Sequence, residues 1–189
     1  MRNKSLITLA ECAVMVALAF ALSYARLWEM PLGGSVTLCS MLPILLIGIK
    51  YGTKVGLGTA FVYSLTQLFQ GIAEGDVSVV SMSFGVFTVC LLFDYILPFT
   101  ALGLSGVLGK KGLKPYFASA LAVFIRFLCH YISGVTIWAQ WTPDGWNSWI
   151  YSAAYNGGFL LPDFAICIVC MILLLQVKEI RKLLGIKTI

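Results

Sequence analysis

The sequence predicts an all-α integral membrane protein of six transmembrane helices with both termini in the cytoplasm, and three observations predict it. Of 189 residues, 60% are hydrophobic and only 11% charged, with a mean hydropathy of +0.93, whereas a soluble domain carries about 25% charged residues. Apolar runs close to the roughly 20 residues that cross a bilayer follow one another with short breaks. All but two of the 13 Lys and Arg residues fall on one side of a six-helix arrangement, which the positive-inside rule makes the cytoplasmic side. One membrane domain over residues 1–189 fills the length.

Helix 1 is expected over residues 6–25. Arg2 and Lys4 precede it, as in a signal peptide, but the apolar run exceeds the usual core of about 7–15 residues. It is read as retained. Ala13, Ala17, Ala21 and Ala25 form an AxxxA stripe along it, and small residues on one face let a second membrane helix approach closely. That second helix belongs either to this chain or to a separate membrane subunit. Residues 26–37 form a connection in which Pro31 and Gly33-Gly34 prevent regular helix. Helix 2, 38–50, is short and interrupted by Pro43, so irregular backbone buried in protein is expected beside it.

After a turn at 51–54, helix 3 runs over 55–72, with Gly56 and Gly58 for close packing and Tyr63, Gln67 and Gln70 as polar groups on its surface. Glu74 and Asp76 make a short acidic loop. Helix 4, 79–108, carries Asp94-Tyr95 near its middle, followed by Pro98. A basic loop, GKKGLKP, leads to helix 5 at 116–139, then a Trp-rich loop at 140–148 and helix 6 at 149–176 with Pro162-Asp163. The tail KEIRKLLGIKTI is basic and amphipathic. The side shared by both termini holds Arg2, Lys4, Lys50, Lys54, Lys110, Lys111, Lys114, Lys178, Arg181, Lys182 and Lys187. Opposite lie Glu29, Glu74, Asp76 and Asp144 with Arg26 as the single base, a rim that attracts cations over anions.

Several function classes are excluded or weakened. Cys12, Cys39, Cys90, Cys129, Cys167 and Cys170 all lie in or beside apolar segments and read as small core residues. The Cys167/Cys170 pair has no second ligand pair for a structural zinc, and one histidine cannot build a multi-histidine metal site. There is no GxxxxGK[ST] loop, no HExxH and no GxSxG. The chain is therefore not read as an enzyme or as its own ATPase, and no cofactor is expected. The basic residues are spread along the cytoplasmic edge, which argues against nucleic acid.

The residues that could recognise a small molecule cluster late in the chain. Asp94 sits mid-helix, where a carboxylate costs about 2.5–3.5 kcal/mol on insertion scales and is normally paired or facing a cavity. Arg126 is the expected partner, either in a packing salt bridge alone or sharing Asp94 with a bound cation. His130, four residues on, shares the helix face of Arg126; it reads as a hydrogen-bonded core residue or as a pocket residue. Trp138 is two turns further. Trp141, Trp146 and Trp149 fit an aromatic belt at the headgroup level. Tyr151 and Asn156 add a phenol and an amide near the outer end of helix 6. Aromatic faces, an imidazole, a carboxylate, an amide and a phenol suit a flat, positively charged heteroaromatic ligand.

The segments PLGGSVTLCSMLPILLIGIKYG (31–52), LLFDYILPFTALGLSG (91–106), RFLCHYISGVTIWAQW (126–141) and WIYSAAYNG (149–157), in this order and spacing, resemble the thiamine-binding S components of energy-coupling factor (ECF) transporters, the ThiT/YuaJ family, along nearly the whole chain. The resemblance implies the six-helix S-component fold and a multi-pass protein of a prokaryotic plasma membrane. It also implies capture of thiamine from outside, and assembly with a transmembrane coupling subunit and two ABC ATPases. It places ligand contacts on Asp94, Tyr95, His130, Trp138, Tyr151 and Asn156, and partner docking on Ala13, Ala17 and Ala21. One departure is visible: some members carry a Trp and a Glu around the first outer loop, and residues 33–38 here have neither. Alternatives are an S component for another flat cationic or pyrimidine-type vitamin precursor, or a self-sufficient secondary transporter using Asp94 as a proton site. The latter folds often show repeated halves with broken helices, and no such repeat is seen.

Overall fold

The computed structural model describes residues 4–75 and 82–186, the Leu32 side chain excepted. Arg2, Asp76, Lys187 and the expected helical residues 79–81 lie outside the described residues. The chain is mostly helical. Its helices are α1 (Lys4–Ser23), α2 (Leu42–Tyr51), α3 (Thr53–Glu74), α4 (Phe84–Gly106), α5 (Lys114–Thr136), α6 (Ser148–Gln176) and a terminal α7 (Lys178–Leu184). Among the described residues, α1, α4, α5 and α6 are long and apolar enough to cross a membrane. Their outer faces carry exposed Leu, Val, Ile and Phe side chains such as Leu9, Val14, Phe117, Phe124, Leu161 and Leu173, a surface made for lipid rather than water.

The all-α expectation needs one correction. The connection after α1 is a small antiparallel hairpin, β1 (Arg26–Glu29) and β2 (Ser35–Thr37), pairing Trp28 with Val36 and Glu29 with Ser35. Pro31 and Gly33 build the turn, with Gly33 at φ +91°, where a side chain would be strained. β-branched and aromatic residues flank that turn, and they fit a pleated strand.

Helix 2 also starts later than the sequence indicated. Pro43 does not interrupt it but sits in its first turn, where the missing N–H has no intrahelical partner to lose. Residues 38–41 are irregular, and Cys39 takes a positive φ of 63°. With 10 residues, α2 spans about 15 Å, half of the roughly 30 Å hydrocarbon core. Every residue from Leu42 to Ile49 is buried, so α2 is the inner post around which α1, α3 and the end of α4 pack. The irregular backbone before it is covered by protein, as membrane depth requires.

That packing depends on absent side chains. A Cβ on Gly103 would lie 2.4 Å from both the Gly56 carbonyl carbon and the Leu57 nitrogen. The α3 and α4 backbones therefore meet directly, and Ser105 Oγ donates to the Leu45 carbonyl at 2.8 Å.

α4 is not uniform. Its middle, Leu91–Ile96, is a π-helix, and the Leu97 N–H bonds the Leu92 carbonyl five residues back. The cause is Pro98: it brings no N–H to the Asp94 carbonyl and its ring crowds that position. The helix accommodates it by widening one turn, a device frequent at functional sites.

Candidate functional site

A cavity of about 170 Å³ opens between the hairpin, α3, α4, α5 and α6. All six residues singled out in the sequence line it: Asp94, Tyr95, His130, Trp138, Tyr151 and Asn156. The π-turn delivers the first two. Tyr95 fits because residue 71 on α3 is glycine; a Cβ there would come within 2.1 Å of the Tyr95 hydroxyl.

Asp94 does not pair with Arg126, which corrects the expected salt bridge. Its Oδ2 accepts from Ser133 Oγ at 2.6 Å and Trp138 Nε1 at 2.8 Å, and its Oδ1 faces His130 Nδ1 at 3.4 Å. Trp138, expected as a stacking surface, is thus also a donor. Arg126 lies with its guanidinium over the Phe99 ring at 4.3 Å and gives its Nε–H to His130 Nε2 at 3.4 Å. The His130 ring sits edge-on between Phe99 and Phe159, at centroid distances of 6.3 and 6.1 Å.

α6 supplies the opposite wall. Ser152, Asn156, Phe159 and Asp163 fall on one helix face and all four line the cavity. Asn156 Nδ2 is bonded to the Ser152 carbonyl at 3.0 Å and reaches the His130 carbonyl at 3.3 Å, so it ties α6 to α5. Tyr151 and Tyr155 are tilted rings 6.1 Å apart. The Tyr155 hydroxyl accepts from Gly34 N at 3.1 Å and donates to the Pro31 carbonyl, fixing the hairpin turn against α6. Trp141, Trp146 and Trp149 are exposed and outside this cavity, in keeping with a rim position.

Several site residues were missed. Asp163, noted only as following Pro162, is 2% exposed and accepts from both the Thr37 N–H (3.0 Å) and the Thr37 hydroxyl (2.9 Å), pinning the base of the hairpin. Ser133 lies one turn beyond His130 on the same face. Gln67 and Gln70 do not decorate an outer surface: they line the cavity and bond one another, and Ser23 donates to Gln70 at 2.7 Å. Gln70 passes the network to Glu74, which Arg26 grips from the hairpin while also holding Glu29. Burial alone would push the Glu74 carboxyl up, but the hydrogen bonds from Arg26 and Gln70 outweigh it and hold it below the usual carboxylate range. Glu29, Glu74 and Arg26 are therefore a latch, not only a solvated rim. Trp28 and Glu29 stand on β1 with their surfaces exposed.

Among the described lining residues the charges are Asp94, Asp163 and Glu74 against Arg126 and Arg26. With His130 neutral the cavity carries one net negative charge. A hollow with aromatic walls and one formal negative charge in excess favours a flat monocation over an anion.

The model of the family described as thiamine transporter protein (Thia_YuaJ) matches residues 9–183. The thiamine transporter ThiT of Bacillus subtilis strain 168 is 36% identical over 188 residues, covering 92% of both chains. The thiamine transporter ThiT of Lacticaseibacillus paracasei is 27% identical over 194 residues, covering 93% of this chain and 90% of its own. Among solved structures, ThiT from Listeria monocytogenes superposes with a TM-score of 0.70 at 22% identity, covering 96% of this chain and 99% of that one, and so shares the fold.

Proposed function

The chain belongs to the thiamine transporter protein family (Thia_YuaJ), and from that premise we propose that it is the substrate-capture (S) component of an ECF-type importer, taking thiamine from the extracellular side of the plasma membrane. The observation that carries this reading is an aromatic-walled cavity whose lining has one formal negative charge in excess, with the Asp94 carboxylate held there by Ser133 and Trp138. In it Asp94 counters the thiazolium charge or takes the aminopyrimidine amino group. His130 and Trp138 offer ring faces, Tyr95 and Tyr151 phenols, and Asn156 an amide.

The six spans are α1, α2 together with the irregular segment before it, α3, α4, α5 and α6, with both termini in the cytoplasm. Support comes from the basic residues at 50–54, 110–114 and 178–182, which gather where α2, the α4–α5 loop and α7 adjoin: Lys110 Nζ donates to the Lys50 carbonyl and lies 3.6 Å from where a Gly185 side chain would begin. With no phosphate-binding loop in the sequence, energy comes from two ABC ATPases through a membrane coupling subunit. Ala13, Ala17 and Ala21 are all exposed on α1, so packing within this chain does not use the stripe. Their face is free for that subunit. Replacing Ala17 with Leu is expected to lower uptake by cells at least fivefold while thiamine affinity of the isolated chain changes less than twofold; equal uptake removes the docking assignment.

The direct test is titration of intrinsic tryptophan fluorescence with thiamine. Trp138 lines the cavity, so strong, saturable quenching at low ligand concentration is expected. Absence of quenching together with absence of calorimetric binding ends the proposal. Competition by a pyrimidine precursor that outcompetes thiamine would reassign the ligand.

A further inference from the structure

His130 is the chain's single histidine, and its two nitrogens meet different partners. Nδ1 faces the Asp94 carboxylate at 3.4 Å, while Nε2 receives the Arg126 Nε–H at 3.4 Å. A guanidinium has five N–H donors and no acceptor. Nε2 must therefore present its lone pair, and Nδ1 carries the proton. We infer that Arg126 is a positioning residue that keeps His130 neutral and Nδ1-protonated, so that Asp94 retains its charge and one acceptor site on Oδ1 for a cationic ligand. The inference deepens the thiamine reading and, for its ligand part, rests on it.

The acceptor count follows from the contacts. A carboxylate offers about four lone-pair directions. Ser133 and Trp138 occupy Oδ2, and His130 takes one direction on Oδ1. One remains, and because Asp94 lines the cavity a ligand N–H there can donate to it. A second proton on His130 would have to sit at Nε2, setting N–H against N–H and cation against cation. The resulting imidazolium would cancel Asp94 and leave the cavity without net negative charge.

Arg126 has nowhere else to go. It is 7% exposed, its guanidinium lies on Phe99, and its Nη1 meets no acceptor among the described residues. The groups facing His130 are Asp94 and Phe99 from α4, Arg126 from α5, and Phe159 and Asn156 from α6. Arg126 in turn interacts electrostatically with Asp163 and Cys167 of α6 and Tyr63 of α3. Asp94 is the one carboxylate in contact with the imidazole among the described residues.

The test uses the full chain in nanodiscs, labelled with 15N-histidine, so that one imidazole reports. Between about pH 6 and pH 8, spanning the ordinary histidine range, the wild type is expected to keep a pyrrole-type Nδ1 and a pyridine-type Nε2. In Arg126→Met, Nε2 is expected to become pyrrole-type toward pH 6, and thiamine affinity to fall about tenfold from pH 8 to pH 6 while the wild type stays flat. Arg126→Lys, which also only donates, is expected to restore the wild-type signal; it keeps the test available if the Met variant does not fold. A wild-type Nε2 that is protonated at pH 7, or an Arg126→Met protein with unchanged spectra and unchanged pH response, overturns the inference. A wild type with the expected spectrum that binds no thiamine overturns the ligand assignment instead.

Discussion

Asp94→Asn is expected to weaken thiamine binding at least tenfold, about 1.4 kcal/mol or more, measured by calorimetry on protein whose thermal melting is unchanged. The substitution preserves volume but removes two things at once. The cavity loses the charge that leaves it net negative, and an interior of low dielectric magnifies that loss. The carboxylate also accepts from Ser133, Trp138 and His130 together. An amide has one oxygen, so its NH2 would point at one of these donors and leave buried N–H or O–H groups without a partner. If affinity is unchanged, Asp94 is not the ligand's counter-charge.

The largest effect on the fold is expected at Gly103. Gly103→Val is expected to yield no monodisperse protein in detergent, because a Cβ there would lie 2.4 Å from backbone atoms of Gly56 and Leu57. Overpacking against side chains typically costs about 1–3 kcal/mol. Here the obstacle is main chain of the facing helix, which cannot rotate aside. Gly85→Ala is the control: it lies on the same helix with nothing within 4 Å of its would-be Cβ, and it is expected to express normally. A well-behaved, thiamine-binding Gly103→Val protein would show that the α3–α4 contact is looser than described.

The expected bounds of helices 1, 3, 5 and 6 lie within about three residues of the observed ones, because Gly, Pro and charged breaks between long apolar-rich runs leave little freedom in where a helix starts and stops. The six residues singled out in the sequence line one cavity, and for Asp94 and His130 the reason is related: polar groups at membrane depth have few directions in which to face. What a linear pattern could not supply was the rotation of one helix against another. Depth alone pairs Arg126 with Asp94, but the Asp94 carboxylate meets Ser133 and Trp138 instead. Thr37 and Asp163 meet across 126 residues, a pairing no local periodicity encodes. The glutamines were more legible than they were made to be. Gln67, Gln70 and Glu74 follow helical spacing on one face, and that face needed to be read as a wall. A proline near a helix start and one inside a helix look the same until the start is known, which is why Pro43 reads as an interruption in the sequence yet sits in the first turn of α2.

The broadened turn at Leu91–Ile96 holds one residue more than ordinary α geometry would use. α4 thus behaves as two rods spliced out of phase. Removing any single residue from that stretch would let the helix wind regularly, turning one rod by about 100° against the other. Either the carboxylate or the glycine seam beyond it would then face the wrong way. The placement of the Asp94 carboxylate and the close fit of the inner helices are set by the same surplus residue, so neither can be re-registered without the other.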